Sequence, residues 1–156
     1  MAARKLPDDV ARWMTVEHET TIDASMERTW RALVEETSRW WRAGFYALPT
    51  AVGMRIEPRI GGLMYEHADD GSVVVWAAVI AVQPGRSIEL SGNLSASFGG
   101  PAHVLLHFDL TAKGKTTVVK VCESRIGNVS ADAATETKKA WSLLLDGGLK
   151  PYAEKS

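Results

Sequence analysis

Residues 131–155 form the one long amphipathic segment of this sequence. They follow a breaker cluster, Gly127-Asn128-Val129-Ser130, and most of their charged residues fall on one side of a helical projection. The opposite stripe is apolar and consists of Ala134, Trp141, Leu144, Leu145 and Leu149. This spacing predicts an amphipathic helix of several turns. Because a helix with one apolar face needs an apolar surface to cover, the rest of the chain is expected to supply a sheet.

The segments before this helix predict such a sheet. Alternating or apolar runs, separated by turn signals such as Gly61-Gly62 and Asp70-Gly71, are typical of strands. The predicted strands fall near residues 13–22, 54–58, 63–69, 72–82, 87–94, 102–112 and 115–126. Two short helices are predicted after the first strand, at 25–35 with Ser25 as N-cap and at 36–41. The predicted class is α+β, with an antiparallel meander packed on one C-terminal helix.

Length and charge limit the classes of function. The 156 residues predict a single domain over 1–156, and a net charge of −1 without a basic block argues against a nucleic-acid partner. The longest apolar run, Val73–Val82, is far shorter than the roughly 20 residues of a spanning helix, so no membrane partner is expected. A single cysteine, Cys122, and an N-terminus without an apolar signal core predict a cytoplasmic protein.

The turn signal Lys113-Gly114 allows the last hairpin to be registered. A two-residue loop at this dipeptide predicts four cross-strand pairs: Leu110 with Thr117, Phe108 with Val119, Leu106 with Val121, and Val104 with Glu123. The predicted hairpin therefore has one apolar face that ends in the acid Glu123.

The hairpin at Asp70-Gly71 leaves two alternatives open. A two-residue loop would pair Tyr65 with Trp76. If Pro84-Gly85 is also a two-residue loop, Glu66 faces the core. One β-bulge would instead turn Tyr65 and Trp76 inward. We favour the arrangement with Glu66 inside.

Four groups of residues, which follow the order of the predicted strands and helices, resemble those of a known family. They are Ile22-Asp23-Ala24-Ser25 with Trp30; Glu57-Pro58-Arg59 with Gly61-Gly62 and Tyr65-Glu66; Asp70-Gly71-Ser72 with Trp76, Val79, Pro84 and Arg86; and Trp141 with Leu145 and Leu149. On these residues the chain resembles the SRPBCC (START-like) superfamily, in particular the homologues of the activator of the heat-shock-protein-ninety ATPase. The resemblance covers about residues 15–152. The chain departs from the family at Ala140, where relatives often have glycine.

The resemblance implies a helix-grip fold, in which a curved antiparallel sheet wraps around the C-terminal helix. It also implies a cavity that in relatives often accepts apolar or aromatic small molecules. A loop at 42–53 is a candidate lid because it is apolar. The residues expected to line the cavity are Trp40, Trp41, Phe45, Tyr65, Glu66, Trp76, Leu106, Phe108, Val119, Val121, Glu123, Trp141 and Leu145. Trp30, on the apolar face of the first helix, is expected to be core.

Glu66 and Glu123 are the candidate catalytic residues. An acid on an apolar face is desolvated unless it has a partner, and such acids are frequent at functional sites. Structural ion pairs produce the same pattern, and the candidate partners are Arg59, Arg125 and His18.

No metal or cofactor is predicted. His103 and His107 would lie four residues apart on a strand, a span of about 13 Å that is too long for a shared ion. The favoured hypothesis is binding of a small hydrophobic or aromatic molecule between the sheet and the last helix, without catalysis. The first alternative is a cyclase- or hydratase-like enzyme with Glu66 as general acid or base. The second is a chaperone-interacting protein, and association with a second copy of the chain stays open.

Overall fold

The computed structural model describes residues 10–155. The N-terminal residues used above to argue against a signal sequence lie outside this range. Seven strands are present: β1 Arg12–Ile22, β2 Ala51–Ile56, β3 Leu63–Ala68, β4 Val73–Gln83, β5 Ser87–Leu94, β6 Ala102–Lys113 and β7 Thr116–Gly127. The helices are α1 Met26–Trp30, continued by a π-helical turn Arg31–Glu35; α2 Thr37–Trp40; α3 Ala133–Leu144, continued by a π-helical turn Leu145–Leu149; and α4 Lys150–Ala153.

The strands form one antiparallel sheet with the order β1-β7-β6-β5-β4-β3-β2. Each strand from β2 to β7 pairs with its neighbours in sequence, and β1 returns to pair with β7. The sheet curls around the last helix, so the predicted α+β helix-grip fold is confirmed. None of the helices within residues 10–155 is long and apolar enough to span a membrane.

The last helix lies in the concave side of the sheet. Its apolar stripe is buried as predicted, with Leu145 and Leu149 fully inaccessible. Gly148 allows a close approach at its C-terminal part, because a Cβ there would lie 2.6 Å from the carbonyl oxygen of Trp40. Trp30 is buried in the same core, as predicted. The helix therefore packs against both the sheet and the short helices that follow β1.

The β6–β7 register differs from the predicted one by two residues. The turn is formed by Gly114 and Lys115, and the observed pairs are Leu106 with Glu123, Phe108 with Val121, and Leu110 with Val119. Gly114 has a φ of 60° and occupies the first turn position, where a II′ turn requires glycine. The sequence had predicted Gly114 at the second turn position, after Lys113. Because the error is an even number of residues, the predicted faces of both strands are retained.

The β3–β4 register also differs from the predicted one. Tyr65 pairs with Val75, not with Trp76, because the turn contains three residues and ends at Gly71, which has a φ of 87°. A bulge at Trp76 then interrupts the pairing. Because Glu66 pairs with Val74 and side chains alternate, Trp76 faces the concave side together with Glu66, whereas Tyr65 faces the convex side. Glu66 therefore lies inside as favoured, and of the alternative pair only Trp76 faces inward.

Candidate ligand cavity

A cavity of about 390 Å³ lies between the concave face of the sheet and α3. We call it the helix–sheet cavity. Its lining consists of Trp41, Phe45, Met64, Trp76, Leu94, Phe98, Val104, Leu106, Glu123, Arg125, Glu136, Thr137, Ala140, Trp141 and Leu144. Phe98 is 39% exposed and Glu136 is also exposed, so the cavity reaches the surface between the β5–β6 connection and the N-terminal half of α3.

Aromatic rings form much of the cavity wall. The rings of Trp41 and Trp141 meet edge to face with centroids 6.2 Å apart. On the opposite side, Trp76 meets Phe98 in a similar arrangement at 5.3 Å. Edge-to-face contacts of this kind hold rings in fixed orientations. The two aromatic pairs therefore give the cavity two apolar walls contributed by different parts of the chain.

Glu123 connects the sheet to the last helix at the edge of the cavity. Its Oε2 accepts a hydrogen bond from the indole Nε1 of Trp141 at 2.6 Å. Its Oε1 accepts one from Nε of Arg125, also at 2.6 Å. The Glu123 side chain is nearly buried, whereas that of Arg125 is 24% exposed. Glu123 thus has the predicted partner Arg125, and it also has an indole partner that the sequence did not indicate.

Glu66 is fully buried and anchors the predicted loop at 42–53, whose residues 51–53 form the start of β2. One of its carboxylate oxygens accepts a hydrogen bond from the backbone N–H of Leu48 at 2.6 Å, and the other accepts one from that of Ala47 at 3.1 Å. The adjacent Tyr46 is partly buried, and this burial together with the Glu66 charge raises the pKa of the Tyr46 phenol. Neither Arg59 nor His18 reaches Glu66, because Arg59 pairs with Glu57 and His18 bonds to Asp146.

The structure brings only part of the predicted site together. Six of the predicted cavity residues line the helix–sheet cavity: Trp41, Phe45, Trp76, Leu106, Glu123 and Trp141. Four others, Phe108, Val119, Val121 and Leu145, are fully buried in the core beneath it. Of the remaining three, Trp40 donates its indole hydrogen to the carbonyl of Ala32 and Tyr65 lies on the convex side near His67. The carboxylate of Glu66 is hydrogen-bonded to the backbone of the loop at 42–53, and Glu66 does not line the cavity.

Several lining residues were missed, although some carried a signal. Val104 already lies on the predicted apolar face of the hairpin, and Arg125 is in phase with Glu123, so extending the strand alternation by two residues would have found it. Thr137, Ala140 and Leu144 lie one helical turn from Trp141 or from each other, and the same extension applies to α3. Phe98 sits in a short 3₁₀ turn, Ala96–Phe98, and no periodicity indicates it.

Other reactive side chains lie away from this cavity. His103 bonds to Asn93, and His107 bonds to Glu89, on the convex face. No cluster of three or more His, Cys, Asp or Glu residues suited to a metal ion occurs within residues 10–155. Burial, with a contribution from Glu17, raises the pKa of the Cys122 thiol. Polar contacts to a ligand in the helix–sheet cavity are therefore expected from the residues that line it, not from these side chains.

Comparison with protein families identifies the chain. The family described as Activator of Hsp90 ATPase homolog 1-like protein matches residues 23–154, nearly the whole sequence. The chain belongs to this family. The resemblance stated from the sequence is thereby confirmed. No functionally curated protein shows significant sequence similarity to this member of the Activator of Hsp90 ATPase homolog 1-like family.

Several solved structures share the fold of this family member. Protein MLL2253 from Mesorhizobium loti has a TM-score of 0.67 and 21% identity, over 92% of this chain and 98% of that chain. Ara h 8.0201 has a TM-score of 0.66 and 14% identity, over 93% of this chain and 100% of that chain. DynU16, from the dynemicin biosynthetic locus, has a TM-score of 0.68 and 18% identity, over 96% of this chain and 48% of that chain. At these identities the likeness establishes the fold alone.

Proposed function

We propose that the protein binds a small apolar or aromatic molecule in the helix–sheet cavity. The observation that carries this proposal is an apolar space of about 390 Å³ bounded by Trp, Phe and aliphatic side chains. Protein interiors are normally close-packed, and ligand pockets typically have volumes of about 300–1,000 Å³ with mostly apolar linings. An opening beside Phe98 and Glu136 supplies a route from solvent.

The carboxylates near the site favour binding over catalysis. Both oxygens of Glu66 accept hydrogen bonds from the backbone of the 42–53 loop, so its role is to hold that loop. Glu123 does line the cavity, but Trp141 and Arg125 occupy its two oxygens. A general acid or base needs to reach the proton it transfers. In both arrangements each carboxylate oxygen already accepts a hydrogen bond from the protein, which fixes the group in a structural role.

A second candidate function is contact with a chaperone through the convex face of the sheet. Trp13 and Ile126 are cross-strand partners there, and they are 75% and 53% exposed. Adjacent exposed apolar side chains are typical of contact surfaces. The family description, which refers to activation of the Hsp90 ATPase, supports the same idea. Adding the protein to purified Hsp90 and measuring its ATPase rate tests this candidate, and an unchanged rate would contradict it.

The binding proposal is tested by filling the cavity from α3. Ala140 lines the cavity, so Ala140→Phe should occupy part of its volume. We expect the neutral dye N-phenyl-1-naphthylamine to bind the parent and to bind Ala140→Phe at least about tenfold more weakly. Leu143→Phe is the matched control, because it adds the same ring at an exposed position of the same helix.

Dye fluorescence titrations measure the affinities, and near-ultraviolet circular dichroism checks that each variant is folded. Equal dye binding by the parent and by a folded Ala140→Phe protein would contradict the proposed site.

A further inference from the structure

Arg125, which lines the cavity, has hydrogen-bond donors without an acceptor in the part of the protein that the structure describes. Only its Nε is engaged, by Glu123. Its two Nη groups have no acceptor within residues 10–155, although the guanidinium carries five N–H donors in a planar fork. The carboxylate of Glu123 lies 2.6 Å from Arg125 Nε and balances the positive charge of the guanidinium. The two Nη groups can therefore donate to a ligand that carries no negative charge.

Trp76 supplies a second donor without a partner. Its indole Nε1 is buried, and no residue in the described part of the chain accepts its hydrogen. Buried polar groups are nearly always hydrogen-bonded in native proteins, so an orphan of this kind calls for an explanation. Phe98 packs edge-on against the Trp76 ring from an exposed turn. Trp76 and Phe98 both line the cavity, so a bound ligand is a candidate for the missing acceptor.

The sheet places these two donors at opposite ends of one row. Arg125 pairs with Val104 on β6, and Val104 pairs with Gly92 on β5. Gly92 in turn packs against the backbone of Trp76, so closely that a Cβ at Gly92 would collide with the Trp76 carbonyl. The Trp76 carbonyl therefore covers Gly92, and Val104 is the residue of this row, between Arg125 and Trp76, that lines the cavity. A planar molecule laid against Val104 would have a donor-bearing residue on either side.

The carboxylates that line the cavity are already hydrogen-bonded or solvated. Each oxygen of Glu123 accepts one hydrogen bond, from Trp141 or from Arg125, and Glu136 lies at the exposed rim, where water solvates its charge. The complement of a cavity with spare donors is a ligand with acceptors. The charge balance between Glu123 and Arg125, with an additional acid at the rim, favours a neutral acceptor over a full anion.

We propose, building on the binding function above, that the ligand is an aromatic carbonyl compound whose oxygen is held by Arg125 or by the Trp76 indole N–H. Its rings lie against Val104 between the aromatic walls. The site thus discriminates oxygenated aromatic molecules from hydrocarbons of the same shape.

Two probes of nearly identical shape test this selectivity by titration calorimetry: 2-acetylnaphthalene, which has a carbonyl oxygen, and 2-isopropylnaphthalene, which does not. We expect the variant that removes the donor in use to weaken 2-acetylnaphthalene binding, by about fivefold for Trp76→Phe or about tenfold for Arg125→Met. Each variant should leave the 2-isopropylnaphthalene affinity within about twofold, because the apolar surface is kept. Trp13→Phe makes the same indole-to-phenyl change on the convex face and should alter neither affinity.

The outcomes separate this inference from the binding proposal. If both probes bind the parent, and each variant weakens both probes equally or neither, the carbonyl inference is overturned while binding in the cavity stands. If neither probe binds the parent, the binding proposal fails and the carbonyl inference fails with it. Should Arg125→Met not fold, Arg125→Lys replaces it, because lysine keeps the positive charge beside Glu123 but lacks the planar fork of N–H donors. If neither Arg125→Lys nor Trp76→Phe weakens 2-acetylnaphthalene selectively, the carbonyl inference is overturned.

Discussion

Replacing Trp141 with alanine is expected to lower the free energy of unfolding by about 4 kcal/mol, because truncating a buried aromatic side chain removes its packing and leaves a cavity. Trp141 contacts both Trp41 and Phe108, and its indole donates to Glu123. Its removal therefore also takes one of the two partners from a nearly buried carboxylate. Since the free energy of unfolding of a small domain is about 5–15 kcal/mol in total, this variant should be close to unfolding at moderate temperature.

Urea denaturation followed by circular dichroism measures the change. Trp141→Phe keeps a ring in place but removes the donor to Glu123, and we expect an intermediate loss of about 2 kcal/mol. Trp13→Ala is the matched control, because Trp13 is 75% exposed and its removal should cost less than about 0.5 kcal/mol. A Trp141→Ala protein as stable as the Trp13→Ala protein would show that the Trp141 side chain does not hold the last helix against the sheet.

Replacing Glu66 with alanine is expected to cost about 3 kcal/mol and to release the loop at 42–53. The change leaves the backbone N–H groups of Ala47 and Leu48 without their acceptors, and an unsatisfied buried donor costs about 1–3 kcal/mol. Limited trypsin digestion gives a local measurement, because Arg42 is an exposed cleavage site at the start of the loop. Cleavage after Arg42 should be much faster in the variant than in the parent.

Glu66→Gln is the informative companion of Glu66→Ala. A glutamine has one oxygen acceptor in place of two, so one loop N–H stays bonded and the loss of stability should be about half. Glu89→Ala removes an exposed carboxylate that pairs with His107, and it should change neither stability nor cleavage. Unchanged trypsin sensitivity in Glu66→Ala would contradict the assignment of Glu66 as the anchor of the loop.

The features that sequence periodicity could predict are those repeated over several turns or strand pairs. The amphipathic stripe of residues 131–155 and the inward face of β6 and β7 each rest on four or more in-phase residues, so single errors did not change them. The β6–β7 register was wrong by two residues, yet Glu123 still faced the concave side because side chains alternate with a period of 2. Fold class and the inward position of Glu123 were therefore accessible from the sequence.

Backbone features and backbone partners could not be predicted in the same way. The three-residue turn before β4 pairs Glu66 with Val74 and so places Trp76 on the same side as Glu66, and the bulge at Trp76 then turns Ala77 inward as well, without any distinctive residue type. The partners of Glu66 are two main-chain N–H groups 18 and 19 residues away, whereas the sequence directs attention only to charged side chains such as Arg59. The Phe98 wall depends on the path of a short loop, which hydrophobic periodicity does not report.

The most direct test of the binding site is the response of the six tryptophan indole N–H groups to a ligand. Two-dimensional ¹H–¹⁵N NMR resolves these groups individually, and 2-acetylnaphthalene is a suitable probe. Trp41, Trp76 and Trp141 line the helix–sheet cavity, whereas Trp13 lies on the convex face and Trp30 is buried elsewhere in the core. The expected result is a saturable shift of the Trp41, Trp76 and Trp141 signals with Trp13 and Trp30 unchanged. A saturable shift of Trp13 without the cavity tryptophans, or no shift of any indole at saturating probe, would contradict binding between the sheet and the last helix.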